Sequence, residues 1–361
     1  MKINIIEEFK LIGGQEIYAV QLLEMLMEKS NFTINFYTSI EGFNYIKSNY
    51  PGLKDALKMM PENTINQIFF IKREFFSTYF GETNLRNVNI CNSFKLSVIF
   101  SILKIIFFYK RNILFVINHL STQHLSEKVT FLKLKLIRIL DKFISISSRR
   151  VCISKEIYAS YKRFNKNVNL IENCMPKDNY ENSFLGEGDF TSEISFIGRL
   201  DTQKGINYLC LLISNICNED YISKIEIAGI GDLECKIKDL EKLSPKIKYY
   251  SFINKPFAKI KSKIMLFPSL YEGFPLSLLE AVKNGSLPLT SNIVSYKNVL
   301  PSNYPTLKSQ LKTDKQLIKK ILLKQDYHQK IRNQITSHFY ENYSFNSWEQ
   351  KWLDLLNIYT I

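Results

Sequence analysis

Glu272 and Glu280 stand eight positions apart in YEGFPLSLLEAVKNG (Tyr271 to Gly285), with a Gly-Phe-Pro turn right after the first. Gly273 and Pro275 mark an irregular loop, and LSLLEAVKN from Leu276 reads as a short helix. Glu272 therefore falls just before a helix N-terminus and Glu280 about one turn inside it. A helix start offers exposed N–H groups and a positive dipole end to an anion such as phosphate, while a carboxylate beside it suits sugar hydroxyls. The pairing fits a ligand that carries both; an ordinary loop with a capping carboxylate has the same pattern. Arg199 and Lys204 follow one apolar run, and Gly229 and Gly231 follow the next. If these runs are parallel strands, the loops after their C-terminal ends share one sheet edge. Arg199 would then fork onto phosphate oxygens, Lys204 would add a point charge, and the glycines would let backbone amides approach. Taken singly, Arg199 also reads as a surface ion pair and GIG as a tight turn.

Such loops need two alternations of strand and helix to hold them, and the chain supplies both. Ile3 to Ile6, Gly13-Gly14 and IYAVQLLEMLMEK read as strand, glycine loop and helix. Further strand-like runs are expected at Phe32 to Tyr37, Ile68 to Ile71, Ile113 to Ile117, Arg150 to Ile153 and Val168 to Ile171, with helical patterns between them. From Lys177 to Glu193 the apolar pattern lapses, as in an interdomain linker. A second alternation starts at Ile194. The stretch Lys315 to Tyr359 is predicted helical, with Trp348 and Trp352 on one face for packing. The expected organisation is an N-terminal domain over 1–176, a linker over 177–193, a C-terminal domain over 194–340 and a terminal helix over 341–361 that packs back toward the first domain.

Composition narrows the class. A chain of 361 residues is long for one core, and 45% hydrophobic with 23% charged residues is ordinary for a folded protein. The 48 Lys and Arg against 34 Asp and Glu leave +14, which favours an anionic partner, whether nucleotide, phospholipid surface or polyanionic acceptor. No nucleic-acid motif accompanies the charge, so a nucleic-acid partner is not expected. The six cysteines form no CxxC pair and only His119 and His124 lie close together among four histidines, so no metal site is expected. Scattered cysteines after a charged MKINIIEEFK start read as reduced thiols of a cytoplasmic protein. The run Leu96 to Tyr109 is too short to span a bilayer and reads as a buried or an interfacial helix. The basic segment Lys128 to Arg138 reads equally as a solvated helix face or as one lying on an anionic membrane.

Three motifs carry a resemblance. IGRLDTQKG (Ile197 to Gly205), IAGIGDL (Ile227 to Leu233) and PSLYEGFPLSLLEAVKNG (Pro268 to Gly285), in that order and spacing, resemble the retaining glycosyltransferase family four of the GT-B architecture. The likeness is strongest from Ser195 to about Ser291 and weaker in GGQEIYAVQLLEML, INHLSTQHLSEKVTF and IENCMP, where Cys174 stands in place of a common Gly. It implies an α/β fold of two Rossmann-like domains with parallel sheets facing across a cleft, the first binding acceptor and the second a nucleotide-sugar. By the same resemblance Arg199 and Lys204 hold the donor diphosphate, Glu280 the ribose, and Glu272 the donor sugar. Backbone N–H groups of Gly273, Phe274 and Leu276 face sugar and phosphate, and Gly13 with Gly14 lie over the diphosphate. His119 matches a residue near the sugar 6-hydroxyl; a buried structural His, or His124 in its place, is the alternative.

The resemblance further implies no cofactor and no metal, the cations taking the metal's role. Neither glutamate suits a nucleophile, because Glu280 goes to the ribose; front-face departure is the expected mechanism. The implied reaction moves a hexose-type sugar from UDP or GDP to a hydroxyl of a growing cell-surface polysaccharide or lipid-linked glycan, at the inner face of the membrane if the basic helices touch it. Missing glycines in KIKYYSFINK and SNIVSYKN leave the donor open. A non-catalytic binding subunit and a sugar-nucleotide epimerase are the rival readings.

Overall fold

The computed structural model describes residues 2–9, 14–29, 32–76, 87–106, 113–119, 131–163, 165–175, 177, 190–253 and 256–358. It divides into two compact units, the first formed by residues 1–173 together with 348–361 and the second by 174–347. Each is a parallel sheet with helical crossovers.

The first unit runs β1 (Lys2–Glu7), α1 (Gly14–Lys29), β2 (Thr33–Thr38), α2 (Ile40–Asn49), β3 (Leu57–Met59), α3 (Thr64–Ile71), β4 (Asn87–Cys91), α4 (Phe94–Ile106), β5 (Ile113–Asn118), α5 (Phe131–Ser147), β6 (Arg149–Cys152), α6 (Lys155–Lys162) and β7 (Val168–Leu170). Its seven strands lie in the order β3-β2-β1-β4-β5-β6-β7, all parallel. The chain leaves β1 toward β2 and β3, then returns to the other side at β4. β1 and β4 therefore flank the point where strand order reverses, where open α/β sheets bind ligands.

One expectation needs correction here, and one strand was not expected. The run Ile68 to Ile71 is not a strand but the end of α3, whose N-cap Asn63 accepts a hydrogen bond from the Ile65 amide at 2.8 Å. A capped turn outweighs a four-residue apolar run that has no strand neighbour. The strand beside β1 is instead β4, Asn87-Val-Asn-Ile-Cys, which carries asparagines where a core strand ordinarily has apolar residues. Asn89 is buried in register with Asn4 and accepts from its Nδ2 at 2.9 Å, while Asn4 Oδ1 accepts from Asn35 of β2 at 3.0 Å. A three-rung amide ladder thus crosses the middle of the sheet with its buried polar groups paired.

The second unit runs β8 (Ser192–Ile197), α7 (Ile206–Ile216), β9 (Ile225–Ala228), α8 (Glu234–Glu241), β10 (Ile247–Tyr250), α9 (Pro256–Lys259), β11 (Ser262–Phe267), α10 (Leu276–Lys283), β12 (Leu287–Thr290), α11 (Val294–Lys297), α12 (Leu311–Leu323) and α13 (Gln325–Tyr343). Its five parallel strands lie in the order β10-β9-β8-β11-β12, with the reversal between β8 and β11. β8 opens at Ser192, two residues inside the stretch expected as linker, and residues 178–189 of that stretch lie outside the described ones. The final helix, α14 (Phe345–Asn357), joins the first unit from Trp348 onward. Trp348 and Trp352 are buried there; Trp352 Nε1 donates to the Tyr18 hydroxyl of α1 at 3.1 Å and the Trp348 ring packs edge-on against Tyr18. The two indoles, that of Trp352 with its N–H satisfied, bury large apolar area, enough to hold a thirteen-residue helix that would be marginal alone.

No helix among the described residues is long and apolar enough to cross a membrane.

Candidate active site

The loops after β8 and β11 meet at the reversal of the second sheet. Lys204, in the turn before α7, and Glu272, in the loop before α10, are 68 positions apart, yet Lys204 Nζ donates to Glu272 Oε1 at 2.6 Å. Their side chains are 18% and 9% exposed, so the pair is largely withdrawn from water. Ser269 Oγ also donates to Glu272 Oε1, at 2.8 Å, and Ser295 Oγ to the Glu272 carbonyl at 2.7 Å. A buried carboxylate with a cation and a hydroxyl on one oxygen is charge-neutral and held in place.

The backbone aligns these loops by close approach. Leu270 N donates to Gln203 O at 2.8 Å and Gln203 Nε2 to Tyr271 O at 3.3 Å. Gly205 sits at φ +71°, and a Cβ there would lie 2.0 Å from Pro268 O, so only glycine lets the β8 turn press on the β11 loop. Gly229 plays the same part between β8 and β9, where a Cβ would lie 1.8 Å from Gly198 O. Its amide donates to Tyr250 O at 3.0 Å and is committed to the protein. A Cβ on Gly231 would likewise meet Leu200 O. These glycines bring loop to loop, a packing reason invisible in GIG alone.

Arg199 is half-exposed and rests on two neighbours: Nη1 on Asp201 at 2.9 Å and Nη2 on Gln203 at 3.1 Å. The surface ion pair read as its plainer role is what the ligand-free chain shows, with the side chain still 58% exposed. Glu280 differs from Glu272. It lies in the second turn of α10, half-buried, with no hydrogen-bond or ion-pair partner for its carboxyl among the described residues. Burial raises its pKa from 4.5 to about 7, with Lys283 pulling weakly the other way. Gly273, Phe274 and Leu276 occupy the turn into α10, and Phe274 is anchored by its edge-on contact with Tyr343 at 5.6 Å between centroids. Pro275 is the N-cap and offers no side-chain cap.

Of the residues expected from the first unit, Gly14 opens α1 and His119 directly follows β5; Gly13 and His124 lie outside the described residues. His119 belongs to a polar cluster that includes three residues the motifs did not point to: Glu7, Gln15 and Asn92. Glu7 ends β1, and its Oε1 accepts from Gln15 Nε2 at 3.0 Å. Gln15 Nε2 also donates to Asn92 O at 2.8 Å, and Asn92 Nδ2 donates back to Gln15 O at 2.8 Å. That bond turns Asn92 Oδ1 toward His119 Nε2, 2.6 Å away. Oδ1 can only accept, so Nε2 carries the proton and Nδ1 presents a lone pair. Burial lowers the His119 pKa to about 3, leaving it neutral. Burial, with the charges of Glu16 and Glu8, raises Glu7 well above the carboxylate range, against the pull of Asn92 and Gln15; its Oε2 is buried without a hydrogen bond. A sequence signal existed in an acidic or amide residue directly after each apolar strand end, but strand ends are common places for such residues.

The loops around Lys204, Gly229 and Glu272 all fall within one matched segment, since residues 185–338 fit the family model described as Glycosyl transferases group 1. These residues resemble a group 1 domain. Its relatives include an uncharacterized glycosyltransferase (MJ1607) of Methanocaldococcus jannaschii, 27% identical over 216 residues, which are 57% of this chain and 54% of that one. The capsular polysaccharide biosynthesis glycosyltransferase CapH of Staphylococcus aureus is 28% identical over 169 residues, 43% of this chain and 46% of that one. The matches thus span about half the length of these curated relatives. Among solved structures, Anabaena Alr3699/HepE in complex with UDP-glucose superposes with a TM-score of 0.75 at 12% identity, over 99% of each chain. The architecture is accordingly α/β and GT-B, built from two Rossmann-like units. Among the described residues no group of three or more His, Cys, Asp or Glu is arranged to hold a metal ion.

Proposed function

We propose that this chain is a glycosyltransferase that takes a sugar from a UDP- or GDP-sugar and places it, with retained anomeric configuration, on a hydroxyl of a growing polysaccharide or lipid-linked glycan. The observation that carries the reading is the Lys204–Glu272 pair at the reversal of the second sheet, with the unpartnered Glu280 carboxyl a turn and a half beyond. A cation and two carboxylates at a helix start match a diphosphate, a sugar and a ribose. The UDP-glucose held by the Anabaena neighbour belongs to the same ligand class.

In this reading Lys204 exchanges Glu272 for a diphosphate oxygen when donor arrives, and the freed Glu272 carboxylate accepts from a sugar hydroxyl. Arg199 leaves Asp201 for the same diphosphate. Glu280 accepts from the ribose, and Gly273, Phe274 and Leu276 offer backbone N–H groups. In the first unit, His119 offers Nδ1 as an acceptor for a ligand hydroxyl. As the bond from the anomeric carbon to the diphosphate breaks, the acceptor oxygen bonds that carbon on the same face. The acceptor's proton passes to the departing diphosphate, whose charge Arg199 and Lys204 stabilise without a metal. The chain works at the cytoplasmic face of a membrane that carries its acceptor.

A thermal-shift screen across UDP- and GDP-sugars tests the donor, since a ligand bound only by the folded state raises the melting temperature. Chromatography of the same incubations without acceptor should show an unchanged sugar with slow hydrolysis; a changed sugar would make the protein an epimerase. The mechanism fails if Arg199→Ala keeps full turnover at saturating donor.

A further inference from the structure

Among the described residues, three helices of the first unit expose a large apolar surface. α3, α4 and α5 share one buried cluster, with Ile71 from α3, Leu96, Ile99 and Phe100 from α4 and Ile144 from α5. They therefore form one layer on one face of the sheet, and their opposite sides point away from it together. On α5 those outward residues are Leu132, Leu136, Ile139, Phe143 and Ile146, spaced four, three, four and three apart; Leu132 is 82% exposed and Ile146 79%. Such spacing keeps all five on one stripe of a helix. Phe69 on α3 and Ile102 and Ile106 on α4 extend the exposed apolar area across the layer. Scattered exposed apolar residues are normal, whereas a continuous stripe on a helix with neighbours of the same kind marks an interaction surface.

Charge decides what covers it. On a helical wheel Lys135 and Lys142 flank the α5 stripe and Arg138 lies farther round the same side; all three are exposed. No exposed acidic side chain occurs on α3, α4 or α5, since Asp141 is buried on Arg150 at 2.7 Å. A second copy meeting this face would bring cations to cations with no carboxylate to answer them, in a chain of net charge +14. An anionic leaflet answers both halves: acyl chains accept the stripe, and headgroups meet the lysines as their stems extend along it. We propose that the outer face of the α3–α4–α5 layer is where the protein lies on an anionic lipid membrane. The proposal rests on the reading above for the use of that contact, in bringing the chain to a lipid-linked acceptor; the surface itself shares no residue with the Lys204 cluster.

Co-sedimentation of the full chain with vesicles tests it, comparing phosphatidylcholine containing phosphatidylglycerol with phosphatidylcholine alone. Binding is expected to the mixed vesicles and weakly or not at all to the neutral ones. The Leu132→Asp/Ile139→Asp/Ile146→Asp variant should lose binding, and Lys135→Gln/Lys142→Gln should weaken it about thirtyfold, the effect of removing two cations near a charged leaflet. Both variants should keep the wild-type melting temperature and nucleotide-sugar response, because the altered side chains are exposed. Absence of binding to either vesicle, or undiminished binding by the triple variant, overturns the proposal. A dimer in light scattering that the triple variant abolishes, without vesicle binding, would assign the face to a second copy. Vesicle binding without any nucleotide-sugar response would leave the surface standing and remove the transferase reading instead.

Discussion

The two sheets reverse strand order at equivalent places and furnish those places with opposite electrostatics. In the second unit the reversal holds charge: Lys204 on Glu272, with Arg199 nearby on Asp201. In the first it holds neutral hydrogen-bonding groups, a carboxyl that burial keeps protonated beyond its usual range, a neutral imidazole and two side-chain amides. One topology thus makes two kinds of recognition surface. Paired charges can exchange partners when an anion arrives, whereas a neutral network can orient hydroxyls without attracting ions.

The largest test of this contrast is Lys204→Ala. It removes the cation proposed for the diphosphate and strands Glu272 in a buried place, so turnover should fall by about 10²-fold or more and stability by about 3 kcal/mol. Steady-state kinetics and urea unfolding measure the two losses; a variant with normal values of both would end the idea of a poised ion pair.

Glu280 gives the next effect, with a defined pH sign. Its folded-state pKa of about 7 exceeds the ordinary 4.5, so the folded protein holds a proton that the unfolded chain has released between those values. Stability is therefore lost as pH rises from 4.5 to about 7. Glu280→Gln should be more stable than wild type by about 2 kcal/mol at pH 8, with no gain at pH 4, while binding donor more weakly. Denaturation at the two pH values, with donor titration at the higher, reads both.

Asn92→Leu tests the neutral network itself. It removes the acceptor that places the His119 proton on Nε2 and leaves the Gln15 carbonyl without its donor, so imidazole nitrogen chemical shifts should move toward a tautomer mixture and stability should fall by about 1–3 kcal/mol. Glu7→Gln should do far less than the Lys204 change, because an amide replaces a carboxyl whose burial favours its neutral form. A shift under about 1 kcal/mol at neutral pH is expected, together with a flatter loss of stability on going to alkaline pH. A large neutral-pH destabilisation would show that Glu7 is charged and that the contrast between the units is false.

The second unit was the more legible in sequence because its strands are apolar and its loops carry residues of definite chemistry. The first hid β4, since Asn87 and Asn89 break the apolar alternation that marks a strand; the ladder through Asn4 and Asn35 explains Asn89. It also hid the cluster around His119, because Glu7, Gln15 and Asn92 come together through the order of strands and not through spacing. Even in the second unit Lys204 and Glu272 were readable as separate ligand-binding residues, while their mutual ion pair depends on β8 lying beside β11. Glycine positions were legible as turns; the carbonyls that forbid a side chain at Gly205 and Gly229 were not.

The Trp348 and Trp352 side chains bear on how the protein is made. They complete the first unit from the far end of the chain, through Tyr18. A ribosome releases residues 1–173 long before it releases 348–361, whereas the second unit is continuous and can close as soon as it emerges. The unit that is synthesised first is therefore finished last, and during translation its α1 waits around Tyr18 without the two indoles that cover it.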